Sequence, residues 1–458
     1  MLHRLPLSEM VSLVRAGSIS SLELVNAHLD RIERVNPHLN AFTIVLADQA
    51  RESARRADQG LKTGALHGIP VTVKDSFDIG GLPTRLGSHF APDAPAAEDS
   101  AMVARLRRAG AIVLGKTNTP EFLTSYETDN FITGRTNNPW NLDRTPGGSS
   151  GGEAAAIASG CSPGGAGSDG GGSIRVPAHF CGIAGLKPTP GRISSIGHRP
   201  PEPFGVATVG PMARSVADLR ILFEALAGFD DRDPFSAPVP LRDPSTNIRI
   251  GVMQQYYSVP VQPAIRKAVR DAAAALSQDG FTVDAFQPEG IERAPNLWNF
   301  FFGELPARAT KERIIGRESE AHWTYTEGLD RQLDRPPASA WQVAESLAAR
   351  DAMRRRLVEQ MRKFPILLMP VSSIAAFPHR CRRFPTETKE IGLFQAMMTV
   401  TTFNLLGLPA LTVPFAINEE GLPVGIQLVA RPWDEELLLE IGVRLEQSRG
   451  PLPAPPEP

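Results

Sequence analysis

The chain has 458 residues, 42% of them apolar, with 48 Lys+Arg against 50 Asp+Glu for a formal charge of −2. A core of that size fits an enzyme, and the charge balance predicts neither nucleic acid nor an anionic membrane surface as a partner. Three cysteines, Cys161, Cys181 and Cys381, lack C-x-x-C spacing, which predicts reduced thiols rather than a disulfide framework or a zinc site.

The opening M-L-H-R-L-P-L-S-E-M has no apolar export run, so a cytoplasmic protein is expected. Ser20 and Glu23 fit a capping box ahead of an amphipathic helix that Asn36-Pro37 should end. A short strand over 41–46 and a polar-faced helix over 47–59 follow. The run V-T-V-K-D over 71–75 reads as a strand, with Val71 and Val73 on one face and Thr72 and Lys74 on the other. A lysine there either snorkels to water or has a chemical task. A helix over 100–109, a strand over 111–115 and the loop K-T-N-T-P-E-F from Lys116 continue the alternation. Alternating strands and helices predict an α/β layer structure around one sheet, with ligands beyond the strands' carboxyl ends. Lys74, Thr117 and Ser173 are expected there.

Thr145 to Arg175 holds eleven of the forty glycines in thirty-one residues, with Ser149 and Ser150 in one glycine cluster and Ser173 in the other. Glycine gathers where backbone must take positive φ or come close to something. The apolar block over 154–159 predicts a buried helix between the clusters and argues against a flexible linker. The loop from Gly191 to Gly205 has few core residues and could act as a lid. A helix over 216–227, a Pro/Asp-rich connection over 228–244, and strand, helix and strand over 248–253, 261–276 and 281–286 follow. The aromatic-rich span 290–337 is expected to be mainly helical, before a long helix over 338–362 and a buried strand over 365–371. Leu393–Ile417 carries no charge for 25 residues, long enough to span a bilayer. Asn404, Gly407, Pro409 and Pro414 make it instead a buried helix, a G-L-P turn and a strand. A strand over 424–429 and a helix over 435–447 close the fold, and the tail P-L-P-A-P-P-E-P is expected to be disordered.

Three chemistries compete for the glycine stretch. A phosphate loop needs a G-K-[ST] lysine that Gly147–Gly152 lacks. An α/β-hydrolase elbow, G-x-S-x-G, is satisfied with Ser149 as nucleophile, but past His322 only His379 remains to serve as the late histidine. Metal hydrolysis has no H-E-x-x-H, and the nine histidines are scattered singly. The third chemistry uses a lysine, since a neutral amine can take a serine proton as an imidazole does. Burial that brings Lys74 from about 10.4 to about 7 costs roughly 4.6 kcal/mol, within the range of buried lysines.

The blocks V-T-V-K-D, P-G-G-S-S-G-G-E-A-A-A, G-S-D-G-G-G-S-I-R-V-P-A and C-G-I-A-G-L-K-P-T-P-G, in that order, resemble the amidase signature family. Ser149 and Ser173 are 24 apart and Lys74 lies 75 before Ser149, as in that family. The resemblance extends to F-N-L-L-G-L-P-A-L-T-V-P from Phe403 and G-L-P-V-G-I-Q-L-V from Gly421, and is weak only over about 230–360. It implies one α/β domain over 1–450 with a mixed sheet of about eleven strands covered by helices on both sides. The signature core would span about 65–215, with a variable, pocket-forming region over 230–360 and a tail over 451–458.

It further implies Ser173 as the nucleophile of an acyl-enzyme, Ser149 after a cis peptide bond as proton relay, and Lys74 as base. The N–H groups of Gly170, Gly171, Gly172 and Ser173 would form the oxyanion hole, with Asp169 orienting the loop, and Arg175 would either pair with a carboxylate such as Asp169 or line the sheet edge. Leu123, Thr124 and Ser125 would lie beside the substrate, with Arg192 at the hinge of the lid. No cofactor or metal is implied, and the partner is a small amide, ester or carbamate, on a monomer or homodimer. The alternative within the family is the glutaminase component of a tRNA-dependent amidotransferase, whose nucleophile loop usually reads S-D-T-G-G-S. Here that loop is Ser168-Asp169-Gly170-Gly171-Gly172-Ser173. F-G-V-A-T-V-G-P from Phe204 likewise replaces an S-S-L-D-Q-I-G-P-like string. Both departures favour a stand-alone amidase acting on aryl or small amides.

Overall fold

The computed structural model describes residues 1–201, 204–245 and 247–457. Glu202 and Pro203 of the expected lid loop and Pro458 of the tail lie outside them. Among the described residues thirteen strands occur in chain order: β1 (Phe42–Val45), β2 (Pro70–Lys74), β3 (Ile112–Thr117), β4 (Gly164–Asp169), β5 (Ala184–Lys187), β6 (Thr208–Ala213), β7 (Arg249–Val252), β8 (Thr282–Ala285), β9 (Ile366–Pro370), β10 (Arg383–Pro385), β11 (Glu390–Gly392), β12 (Ala410–Ile417) and β13 (Pro423–Ala430). Eleven form one mixed sheet in the order β1-β3-β2-β4-β6-β5-β12-β13-β9-β7-β8, and β10 and β11 make a separate ribbon. Helices cover both faces, as alternation along β12 shows. Leu411 and Val413 join the core with the helix Glu435–Arg449, while Thr412 between them donates to the Arg175 carbonyl on the other face.

The parallel run β3-β2-β4 positions the site. β2 pairs in parallel with both neighbours, so Lys74, Thr117 and Asp169 end three adjacent strands at one edge. β4, G-G-A-G-S-D, was not expected as a strand, because glycine is depleted in strands. Space explains it: a Cβ on Gly165 would lie 2.1 Å from Glu153 Oε1 and 2.2 Å from the Thr72 carbonyl.

Two expectations change. The amphipathic helix expected after Ser20 runs from Ser21 through Pro37 to Leu39, with the Ser20–Glu23 capping box formed, and a helix over Leu7–Ala16 precedes it. Pro37 sits in the last turn, where it forgoes the one bond its N–H would give the Glu33 carbonyl, and Asn40 in the left-handed region (φ 51°) closes the helix three residues on. The tail expected to be disordered ends with Glu457 paired to Arg4 and Arg31, each at 2.5 Å. Arg31 is itself buried and needs a carboxylate. Leu393–Ile417 resolves into helices Leu393–Ala396 and Met398–Leu405 followed by β12. Among the described residues no helix is long and apolar enough to cross a membrane.

Candidate active site

Lys74 does not snorkel; it is 0% exposed. Its Nζ donates to Ser149 Oγ at 2.7 Å and to Ser168 Oγ at 3.0 Å. Burial pulls its pKa down to about 7, against Asp169 and Glu153, which pull it up. Near neutrality a large share of this amine is therefore free to accept a proton. Ser149 follows a cis peptide bond from Gly148. Its hydroxyl, the nucleophile of the elbow alternative, meets a lysine and not a histidine.

The two glycine clusters are joined through Ser150. Its N–H donates to the Ser173 carbonyl at 3.1 Å and its Oγ to the Ser168 carbonyl at 3.3 Å. Ser173 is 9% exposed against 1% for Ser149, so of the two serines a substrate reaches Ser173 first. The helix Gly151–Ala158 follows at once and turns Glu153 inward. Thr72 and Thr117 donate to the Glu153 carboxylate at 2.6 and 2.7 Å, and burial raises its pKa to about 7.

Asp169 organises the nucleophile loop. Its carboxylate accepts the N–H groups of Gly172, Ile174 and Arg175 at 2.7, 3.1 and 3.2 Å. The Arg175 guanidinium pairs with it at 2.9 Å, both side chains being fully buried. Burial alone would raise this acid, but Arg175, Lys187 and Asn404 hold it far below the usual carboxylate range. Arg175 in turn reaches Gln427 at 2.7 Å and the Val400 carbonyl at 3.1 Å, so the loop is tied to β13 and to the helix Met398–Leu405.

This network takes one donor out of the expected oxyanion set. Gly172 gives its N–H to Asp169, which leaves Gly170, Gly171 and Ser173 as N–H groups with no acceptor among the described residues. Gly172 has φ +108°, and a Cβ there would meet Val400 Cγ2 at 2.6 Å. Cβ atoms on Gly170 and Gly171 would strike the rings of Phe302 and Trp298, each at 2.4 Å. The aromatic segment thus lies on the loop.

Among the expected substrate neighbours, Ser125 lies beside the serine pair, its carbonyl 2.3 Å from where a Gly148 Cβ would stand. Thr124 donates to the carbonyls of Glu121 and Thr324, each at 2.9 Å, and Leu123 sits before it at φ 65°. Arg192 is elsewhere. Buried at 2% exposure, it pairs with Glu435 and Glu436 and donates to the Val239 carbonyl at 2.5 Å. A guanidinium so neutralised anchors the last helix and is not a substrate contact or a hinge. The loop it begins is also pinned: Asp78 donates its N–H to the Gly197 carbonyl and Arg199 to the Ser76 carbonyl, at 2.9 and 2.8 Å.

Sequence reasoning missed Ser168, Glu153 and Asn404. A lone acid in G-G-E-A-A-A and the lone asparagine in the uncharged stretch 393–417 were signals for the last two. Ser168 had none, because its strand was unread.

An α/β sheet that sets a buried lysine on a serine beside a second serine in a glycine loop defines a serine-type hydrolase. The family model described as Amidase matches residues 23–439, and the chain belongs to that family. It is an amidase-signature hydrolase. It is 34% identical over 450 residues to an indoleacetamide hydrolase from Bradyrhizobium diazoefficiens, covering 96% of this chain and 85% of that one. To the A-type component of a glutamyl-tRNA(Gln) amidotransferase from Anaeromyxobacter sp. it is 37% identical over 504 residues, covering 100% and 99%. A solved structure bearing on the origins of an s-triazine catabolic enzyme superposes with a TM-score of 0.89 at 30% identity, covering 98% and 100%.

The amidotransferase name recurs in relatives from Chloroflexus and Roseiflexus. This overturns the expectation that nucleic acid is excluded as a partner. Net charge sums the whole surface and does not report on one docking face or on a complex that supplies the charge.

Proposed function

We propose that the protein hydrolyses primary carboxamides through an acyl-enzyme on Ser173, releasing ammonia. The observation that carries this reading is the buried Lys74 amine, with a pKa of about 7, at 2.7 Å from Ser149 Oγ. Ser173 Oγ attacks the amide carbon while its proton passes to Ser149 Oγ, whose own proton passes to neutral Lys74. The oxyanion takes the N–H groups of Gly170, Gly171 and Ser173. Return of the proton along the same relay lets ammonia leave. Water then attacks the acyl-enzyme, its proton taking the same path, and the acid departs with Ser173 restored.

A primary amide is what an indoleacetamide hydrolase and a glutaminase have in common. Geometry favours a flat, apolar acyl group, because the rings of Trp298 and Phe302 lie against the oxyanion glycines. The same attack extends to aryl amides, esters and carbamates. The second reading, the glutaminase component of an amidotransferase, has the greater support among relatives, since most carry an amidotransferase name. Ammonia release from indole-3-acetamide and from glutamine, side by side, tests the two. Faster turnover of indole-3-acetamide supports the flat acyl group. Faster turnover of glutamine moves the protein to the amidotransferase reading, and release from neither sinks the primary-amide proposal.

A further inference from the structure

Two carbonyls of the nucleophile loop are held by side chains from outside it. Trp298 Nε1 donates to the Gly170 carbonyl at 2.7 Å, and the Tyr126 hydroxyl donates to the Gly171 carbonyl at 2.6 Å. In a trans peptide the C=O and the following N–H point in opposite directions. Fixing the Gly170 carbonyl therefore aims the Gly171 N–H, and fixing the Gly171 carbonyl aims the Gly172 N–H, which ends on Asp169 Oδ1 at 2.7 Å. Without Trp298 the Gly170–Gly171 peptide plane can rotate, because glycine offers little resistance, and without Tyr126 the next plane is held only at its N–H end, by Asp169. The Trp298 ring is itself held: Phe302 stacks on it at 5.2 Å with the planes 14° apart.

We infer that Trp298 and Tyr126 are positioning residues for the oxyanion hole: Trp298 aims the Gly171 N–H through the Gly170 carbonyl, and Tyr126, with Asp169 at the other end, locks the adjoining Gly171–Gly172 peptide that fixes where that N–H sits. Trp298 comes from the helix Ala294–Asn299, in the segment least covered by the signature motifs. The part of the chain that walls the acyl group thus also sets the donor geometry, and changes there act on the chemical step as well as on binding. This rests on the proposed reading of Ser173 as nucleophile.

The test compares Trp298→Phe and Tyr126→Phe, which keep an aromatic ring at each position and remove the donor, with the parent on a p-nitroanilide. Each should lower kcat about tenfold with KM nearly unchanged, less than the 10²–10³ that loss of a direct oxyanion donor costs. Phosphonylation by a fluorophosphonate, whose P=O enters the same hole, should slow by the same factor while melting temperature stays put. Unchanged kcat in both variants, an effect confined to KM, or a collapse of both melting temperatures would each overturn the inference. Ser173→Ala, run beside them, separates the outcomes. If it stays active the nucleophile reading fails, and if it is dead while the two variants are normal only this inference fails.

Discussion

Replacing Lys74 by Met should stabilise the protein while abolishing catalysis, and the gain should depend on pH in a calculable way. An unfolded lysine titrates near 10.5 and this one near 7. Between those values the unfolded chain binds a proton that the folded protein does not, so stability rises with pH across that window. The burial cost is then about 5 kcal/mol at pH 6 and about 2 kcal/mol at pH 9. Methionine removes that cost but also two hydrogen bonds, to Ser149 and Ser168, each contributing about 1 kcal/mol. The net gain should be about 2–3 kcal/mol at pH 6 and close to zero at pH 9. Urea midpoints of parent and Lys74→Met at the two pH values give the difference directly. Asp169 stays ionised in both proteins, but Lys74 lowers the pKa of Glu153, so the same pair is also compared in a Glu153→Gln background, where the lysine alone titrates in this window. A gain that is the same at both pH values would refute the argument that Lys74 is held neutral by burial.

Turnover of the parent should rise with pH through an apparent value near 7 that belongs to the coupled Lys74–Ser149 system; a flat profile from pH 5 to 9 would contradict it. Ser149→Ala should cost several orders of magnitude in kcat, and Lys74→Ala should hurt amides more than esters, because the poorer leaving group needs the returned proton. Equal losses on matched amide and ester substrates would remove that role. Arg175→Met should destabilise by about 3–5 kcal/mol by stranding the buried Asp169 carboxylate, read as a fall in urea midpoint. Gly165→Ala should be among the most damaging single-methyl changes in the chain, since backbone and a buried carboxylate both stand in its way. Soluble, active protein from that variant would show that the strand can give.

The signature blocks were legible because their chemistry is local. Lysine at a strand end, serine between glycines and the buried helix after Ser150 all lie where residue type and spacing put them. β4 was not legible, since six residues with three glycines carry no strand propensity and their order comes from what they touch, Glu153 and Thr72. Arg192 misled for a related reason. A loop arginine near glycines reads as a ligand group, and only the fold brings Glu435 and Glu436 to it from more than 240 residues away. The contacts of Trp298 and Tyr126 with the nucleophile loop are likewise long-range. No local pattern announces that a side chain will hold a distant carbonyl.

The central claim is that Ser173 carries the acyl group and Ser149 only relays protons. Labelling the parent with a fluorophosphonate and locating the adduct by peptide mass spectrometry tests it most directly. The adduct should sit on Ser173, persist at reduced rate in Ser149→Ala and vanish in Ser173→Ala. An adduct on Ser149, or undiminished labelling of Ser173→Ala, would contradict the account.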